Sequence, residues 1–198
     1  MTEALRRPNM ISAYVEKHHG RRQGLARHLV AQSRRALGAF RDFETLDWSR
    51  VTRLVFVCTG NICRSAYGAA KAASVGIPSA SFGLYARSRD PADPQAIASA
   101  QTRGIELRGH RARCPDEVTL LPGDLLLAME PWQAAELLSS TRAAGAQLSL
   151  HGLWSSQKRA HIEDPYGLGP AYFDTCLSLM DEAVAECRHR MGRTVTAC

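Results

Sequence analysis

A cysteine and an arginine with five residues between them follow a short apolar run. Cys58 opens the stretch Cys-Thr-Gly-Asn-Ile-Cys-Arg-Ser, and Arg64 lies near its end. If a helix begins at this arginine, its backbone N–H groups and the positive end of its dipole would attract an anion. The same surroundings favour the thiolate of Cys58, which is a nucleophile, and the fork of Arg64 can hold two phosphoryl oxygens. The spacing therefore predicts a site that binds a phosphate-like group and attacks it.

The other residues of this stretch are predicted to contact the substrate or to shape the loop. Gly60 is expected to allow a tight turn, and Asn61 is suited to a left-handed backbone conformation. The hydroxyl of Ser65 can bond to the thiolate and help it to leave. The predicted substrate-binding residues of the loop are Thr59, Gly60, Asn61, Ile62, Cys63 and Ser65. A buried structural cysteine is the alternative, but the flanking strand, helix, glycine and serine favour a functional loop.

Strands and helices are predicted to alternate around this loop. Strands are predicted over 53–57, 80–86, 124–129 and from 148, and helices over 64–75, 94–103, 131–143 and 169–191. Such alternation is typical of a parallel sheet, whose ligands bind at the carboxyl ends of its strands. The predicted fold class is α/β, a four-stranded parallel sheet flanked by helices on both faces, plus an N-terminal helical extension.

The first 52 residues differ in charge from the rest of the chain. They carry ten Lys or Arg against five Asp or Glu, whereas the remaining residues are nearly neutral. A short helix is predicted over 11–18 and a longer one over 23–43, where apolar residues recur at helical spacing. The longer helix could pack on the domain, bind a partner protein or an anionic membrane surface, or belong to an arginine-rich targeting presequence. The predicted division is a basic extension, 1–52, and a catalytic domain, 53–198.

Composition excludes several other classes of protein. The net charge is +6, but the catalytic-looking part contributes little of it, so no nucleic acid is expected as a partner. The chain has no apolar run long enough to predict a transmembrane segment. Its six cysteines form no CxxC pair and no zinc-finger spacing, so no metal site is predicted. The lack of a secretion signal favours a reducing compartment and a cytoplasmic location.

The stretch VFVCTGNICRS resembles the phosphate loop of the low-molecular-weight protein tyrosine phosphatase family. His161-Ile-Glu-Asp-Pro-Tyr166 resembles that family's general-acid motif, and Gly109-His-Arg-Ala-Arg113 is similar to bacterial members. The resemblance covers roughly 53–191. It implies a flavodoxin-like fold and hydrolysis of phosphotyrosine through a phosphocysteine, with no cofactor. The partners implied are phosphotyrosine proteins and, by analogy, a cognate bacterial tyrosine kinase.

The resemblance also implies a role for each catalytic residue. Cys58 would be the nucleophile, and Arg64 would bind the phosphoryl group. Asp164 would protonate the leaving phenolate and then act as a base toward water. Pro165 would restrict the conformation of Asp164 and so aim its carboxylate. An ordinary Asp-Pro turn is the alternative for Asp164.

Further residues match the walls and supports of the family's site. Tyr166 would form one pocket wall, and Tyr85, or else Arg87, would provide another. The residues implied to support the loop are Ser81 and His110, together with Asn61 and Ser65. Cys63 matches a second cysteine of some members, so a reversible disulfide that protects Cys58 from over-oxidation is a hypothesis.

Two other functions remain open at this point. A thiol-coupled arsenate reductase shares the fold, but it needs two closely spaced redox cysteines downstream, and only Cys114 is placed suitably. Tyr166 also favours an aryl phosphate over an inorganic oxyanion. A phosphotyrosine-binding regulatory module is the second alternative. The chain departs from the family pattern at Ala66, at Gly167 and in having the extension.

Overall fold

The computed structural model describes residues 9–195 of the 198-residue chain, with side chains described as far as residue 192. Three α-helices and a 3-10 turn (Trp48–Arg50) precede the sheet in the described part of the chain: α1 (Met10–His19), α2 (Arg22–Ala36) and α3 (Arg41–Glu44). The sheet consists of β1 (Arg53–Cys58), β2 (Ser79–Gly83), β3 (Asp124–Ala128) and β4 (Gln147–Leu150). The remaining helices are α4 (Arg64–Ser74), α5 (Pro94–Gln101), α6 (Pro131–Ala143) and α7 (Pro170–Val195). No helix among the described residues is long and apolar enough to cross a membrane.

All four strands are parallel, in the order β2-β1-β3-β4, which confirms the predicted fold class. Cys58 at the end of β1 pairs with Gly83 of β2, and Val57 pairs with Ala128 of β3. The carboxyl ends of the three strands therefore meet at one edge. β2 ends at Gly83, three residues before its predicted end, because the chain turns there against the loop that follows β1.

The two central strands, β1 and β3, are apolar after their first residue because helices cover both faces of the sheet. Leu54 and Phe56 of β1 belong to a buried cluster shared with α4, α5 and α7. Val55 and Val57 belong to a second cluster, shared with α6. Phe40, just before α3, is buried in this second cluster, so the N-terminal extension closes part of the core.

The extension packs on the domain, but the prediction of one helix over 23–43 is wrong. The chain breaks it after α2, and Gly38 has a left-handed φ of 80° that suits a glycine. The face that α2 buries is also not the predicted apolar stripe. Gly24 and Ala31, seven residues apart, are its buried positions, whereas Val30 stays 60% exposed. Small residues allow α2 to lie close to the domain.

Candidate active site

A hollow of about 170 Å³ opens at the carboxyl edge of the sheet, beside the start of α4. It is lined by Cys58, Thr59, Gly60, Ile62, Cys63, Asp164 and Tyr166. Cys58 is the last residue of β1 and Arg64 the first of α4, so the phosphate loop (58–65) joins a strand end to a helix start. The positive end of α4 therefore faces the loop, as an anion site requires.

A chain of hydrogen bonds holds the Cys58 sulfur. The backbone N–H of Arg113 donates to Asn61 Oδ1 at 2.9 Å, which fixes the orientation of that amide. Asn61 Nδ2 then donates to Ser65 Oγ at 2.7 Å, and Ser65 Oγ lies 2.9 Å from Cys58 Sγ. Because Ser65 Oγ accepts from Asn61, its own proton is free to point at the sulfur. The backbone N–H of Asn61 also donates to Sγ at 3.3 Å, so the site has two donors for a thiolate.

The backbone of the loop adopts the conformation expected at Asn61, whose φ is 55°. His110 Nε2 lies 2.7 Å from the carbonyl oxygen of Asn61. Because a carbonyl only accepts, Nε2 must carry the proton. Burial lowers the pKa of His110, although the bond to Asn61 opposes this, so the ring is neutral near pH 7. His110 therefore supports the loop from outside without entering the hollow.

The close approach that requires a glycine is at Gly83, not at Gly60. A Cβ on Gly83 would lie 2.6 Å from the Thr59 carbonyl oxygen and 2.7 Å from the Asn61 nitrogen, whereas one on Gly60 would meet only Ile62 at 3.6 Å. The predicted support from Ser81 is not found: within the described residues its hydroxyl makes no hydrogen bond to Asn61 or Ser65. Ser81 pairs with Phe56 of β1, two residues before Cys58, so it lies too far from the phosphate loop to support it.

Arg64 is fully buried, and only some of its guanidinium nitrogens have hydrogen-bond partners. Its Nη1 donates to Glu130 Oε1 and to the Ile162 carbonyl oxygen, both at 2.8 Å. Nε and Nη2 have no hydrogen-bond partner among the described residues, although Nη2 lies 2.8 Å from Asp164 Oδ2 as an ion pair. Burial alone would lower the pKa of Arg64, but the Asp164 and Glu130 carboxylates raise it. The guanidinium stays charged, and two of its nitrogens remain available for an oxyanion.

Two residues of this site were missed by sequence reasoning. Glu130 holds Arg64, and Gln133 Oε1 accepts the backbone N–H groups of Met129 and Glu130 at 3.0 and 3.2 Å. Gln133 Nε2 in turn donates to Thr59 Oγ1 at 3.3 Å. Their position was the available signal, because polar residues directly after a buried parallel strand lie at its ligand-binding end.

Of the two tyrosines predicted to form the pocket walls, only Tyr166 lies at the hollow. Tyr166 lines the hollow, and its backbone N–H donates to Asp164 Oδ1 at 3.2 Å. Tyr85 is not among the residues that line the hollow. Its hydroxyl donates to Glu136 at 3.1 Å, and its ring lies 6.2 Å from the ring of Trp132 with an interplanar angle of 24°. The assignment of Tyr85 to the pocket wall is therefore wrong, because these two contacts draw the side chain toward α6.

The thiols and carboxylates elsewhere form no second centre in the described part of the chain. Every cysteine described there, Cys58 and Cys63 included, is a free thiol. No group of three or more His, Cys, Asp or Glu residues in that part could hold a metal ion.

A buried thiol, a charged guanidinium and a carboxylate thus lie beside one anion-sized hollow. The chain belongs to the family described as low molecular weight phosphotyrosine protein phosphatase, whose model matches residues 53–197. It is therefore a phosphoric monoester hydrolase by family, and residues 1–52 lie outside the match.

Named relatives agree with this assignment. The chain is 31% identical to the low molecular weight protein-tyrosine-phosphatase Etp of Escherichia coli, over 71% of this chain and 95% of that protein. Its fold matches the tyrosine phosphatase Wzb from Escherichia coli, solved with sulphate, at a TM-score of 0.60 and 28% identity, over 72% of this chain and 99% of that one. It also matches the YwlE arginine phosphatase from Geobacillus stearothermophilus at a TM-score of 0.62, over 74% and 97% of the two chains, but the 22% identity shows the fold alone. None of these comparisons supports the arsenate reductase alternative.

Proposed function

We propose that this protein hydrolyses phosphotyrosine side chains through a phosphocysteine intermediate. One observation carries the proposal: Cys58 and Asp164 line the same hollow, and Arg64 reaches Asp164 with a nitrogen that holds no hydrogen bond. Phosphoryl transfer depends mainly on positioning and on stabilisation of negative charge, and these groups supply both.

In the first step the Cys58 sulfur attacks the phosphorus. The S–P bond forms as the bond from phosphorus to the phenolic oxygen breaks, and Asp164 donates its proton to that oxygen. In the second step Asp164 accepts a proton from water, the water oxygen attacks phosphorus, and the S–P bond breaks. The leaving thiolate is received by the hydroxyl of Ser65 and the N–H of Asn61.

The ion pair between Arg64 and Asp164 suits this sequence of events. Without substrate, Arg64 Nη2 lies 2.8 Å from Asp164 Oδ2. A phosphoryl group that binds to Nη2 takes the place of this carboxylate, which leaves the Asp164 side chain free to face the leaving phenolic oxygen.

The depth of the hollow favours an aryl phosphate. Cys58 is only 3% exposed, so phosphorus must be carried down to the sulfur on a long, flat group. Ile62 and Tyr166 line the way and offer apolar contact to a ring. A phosphoserine side chain is shorter and has no ring to make these contacts. Phosphotyrosine proteins are therefore the proposed substrates, and a cognate tyrosine kinase would be the enzyme that supplies them.

Phosphate release from phosphotyrosine, phosphoserine and phosphoarginine peptides tests the proposal, with wild type and Cys58→Ser compared. We expect rapid release from phosphotyrosine only, no release by Cys58→Ser, and a transient phosphoryl group on Cys58 of wild type. Faster release from phosphoarginine would replace the proposal by an arginine phosphatase. Tight binding of phosphotyrosine without turnover would replace it by the regulatory module.

A further inference from the structure

Glu163, the residue before Asp164, is a buried carboxylate held from outside the family domain. Its side chain is 2% exposed. Arg21 Nε donates to Glu163 Oε1 at 2.9 Å, and Arg27 Nη1 donates to both carboxylate oxygens at 3.0 and 3.1 Å. His161 Nε2 lies 2.9 Å from Oε2. The two arginines belong to the extension, so the acid loop (161–166) is tied to residues that lie outside the family match.

Packing around these contacts leaves Glu163 little freedom. Gly24 of α2 lies against it, since a Cβ there would be 3.0 Å from Glu163 Cγ and 2.1 Å from the His19 carbonyl oxygen. Tyr172 of α7 donates its hydroxyl to the Glu163 carbonyl oxygen at 3.2 Å. The acid loop is thus enclosed between α2 on one side and α7 on the other.

The charge of Glu163 makes its partners necessary. Burial alone would raise its pKa, but the hydrogen bonds from His161 and Arg27 lower the pKa to about 2. A buried carboxylate that loses its partners is strongly destabilised, so its segment shifts toward water or toward another cation. Asp164 is the next residue, and any such shift moves it.

We propose that Arg21 and Arg27 are positioning residues for Asp164 and act through Glu163. The inference rests on the proposed phosphatase function. The extension would supply part of the catalytic geometry rather than only cover the core, and proton transfer is the step that depends on it.

The dependence of the rate on the leaving group tests this role in the full-length protein. A general acid matters most when the leaving phenol is weakly acidic, as tyrosine is, with a pKa of about 10. For Arg21→Ala/Arg27→Ala we expect kcat/KM to fall about tenfold or more on a phosphotyrosine peptide, as part of the 10²–10⁴ from a general acid. The loss should be much smaller on p-nitrophenyl phosphate. Arg21→Lys/Arg27→Lys should keep part of the lost rate, and Arg22→Ala, which changes an arginine without contact to Glu163, should behave like wild type.

A double-mutant cycle makes the test specific to Asp164. In an Asp164→Asn background the arginine substitutions should have little further effect, because the group they position is gone. An equal loss on both substrates, or full additivity with Asp164→Asn, would overturn the proposal. If the double variant does not fold, the single variant Arg21→Ala, which leaves both Arg27 contacts, is tested instead. The same ratio of kcat/KM values on the two substrates is then compared with that of wild type. A wild type without activity on phosphotyrosine would instead refute the proposed function.

The outer face of α2 borders a second cavity. A cleft of about 630 Å³ lies between α2 and the start of α6, with Val30, Arg34 and Trp132 on its walls. Its inner end includes Thr59 and Asp164, which also line the catalytic hollow, so the cleft adjoins the hollow.

The walls of this cleft combine positive charge with apolar surface. Arg27 and Arg34 line the cleft on the side of α2, and the two carboxylates that also line it, Glu130 and Asp164, are both paired with Arg64. Val30 and Trp132 are 60% and 39% exposed there, so a bound segment could cover apolar area as well. The charge of α2 selects an acidic segment and opposes a basic one.

We infer that this cleft receives the acidic polypeptide that flanks the phosphotyrosine of a substrate protein. The inference deepens the proposed function by naming the class of substrate. Wild type should have a higher kcat/KM for phosphotyrosine peptides flanked by Glu than for matched peptides flanked by Lys. This preference should shrink as salt rises.

Substitutions in the cleft test where the preference arises. Arg34→Glu should remove the preference for acidic peptides, and Trp132→Ala should raise KM for peptides. Both should leave the rate on p-nitrophenyl phosphate much less affected, since that substrate has no flanking segment. Arg22→Glu is the matched control, because Arg22 lines a different cavity with residues of α1. Equal kcat/KM for Glu- and Lys-flanked peptides in wild type, or an equal loss on the small substrate, would overturn the inference.

Discussion

The two loops that meet at the catalytic hollow are held by different parts of the chain. The phosphate loop is supported by His110, Arg113 and Gln133, all within the residues that match the family. The acid loop is bonded to Arg64 and Tyr172 of that domain and, in addition, to Arg21 and Arg27 of the extension. The proposed nucleophile is therefore held within the family domain alone, whereas the residue before the proposed general acid is also held by a segment that this chain adds. Substitutions can accordingly be directed at the supports of one loop or of the other.

The largest effect should come from Asp164→Asn, which removes the acid and leaves the phosphate loop intact. We expect kcat/KM on a phosphotyrosine peptide to fall by about 10²–10⁴-fold, and the fall on p-nitrophenyl phosphate to be smaller. Steady-state kinetics with both substrates measure it. Asp116→Asn, at an exposed position outside the site, is the matched control. A similar rate for both forms on phosphotyrosine would remove Asp164 from the mechanism.

Asn61→Gly should disturb the phosphate loop instead, and the resulting loss of rate should not depend on the leaving group. Glycine accepts the φ of 55° but removes the amide that links Arg113 to Ser65. Misplacement of the nucleophile by about 1 Å costs on the order of 10²-fold in rate. Because Asp164 is untouched, this loss should be the same for tyrosine and for more acidic phenols. A loss that depends on the leaving group would show that the two loops are not separately supported.

The same contrast explains what the sequence could predict. The central strands β1 and β3 were predictable because each is a short apolar run buried on both faces, and Cys58, Arg64 and Asn61 follow from local needs of one loop. The path of Tyr85 was not, because its ring is positioned by Trp132 and Glu136, which are distant in sequence. The contacts of Glu163 were also hidden, since neither a charge run nor a periodic pattern tells which arginine meets which carboxylate.

Oxidation should reveal a protection built into the phosphate loop alone. Peroxide converts the Cys58 thiolate to a sulfenic acid, and attack by the Cys63 sulfur would expel water and form a disulfide that a thiol reductant reopens. Burial raises the pKa of Cys63, so this residue stays a thiol until then. After peroxide and then a thiol reductant, we expect wild type to regain most of its starting activity and Cys63→Ser to regain little of its own. Cys114→Ser should behave like wild type. Poor recovery of wild type would argue against the disulfide.

The smallest effect should be the part of the pH dependence that arises at the seam between α1 and α2. His19 and His28 lie there with ring centroids 5.0 Å apart, and burial, aided by the charge of Arg159, lowers the pKa of both to about 4. The unfolded value is 6.5, so between pH 6.5 and about 4 the unfolded chain binds more protons than the folded chain. The free energy of unfolding therefore falls as the pH is lowered through this window, and the stability is fully present above it.

The phosphate loop should respond less to the same change: burial lowers the pKa of His110 too, but protonation leaves its Nε2 bond to Asn61 in place. Hydrogen exchange at pH 5 and pH 7 should therefore show faster exchange at low pH in α1, α2 and the acid loop than in the phosphate loop. Buried His151 contributes to the whole-chain pH dependence with the same sign, so the decisive measurement is a difference in Tm. His28→Gln should have a shallower fall of Tm with pH than wild type, while His189→Gln, exposed on α7, should match wild type. Equal slopes for His28→Gln and wild type would mean that the seam does not titrate and that both loops respond to acid through the common core.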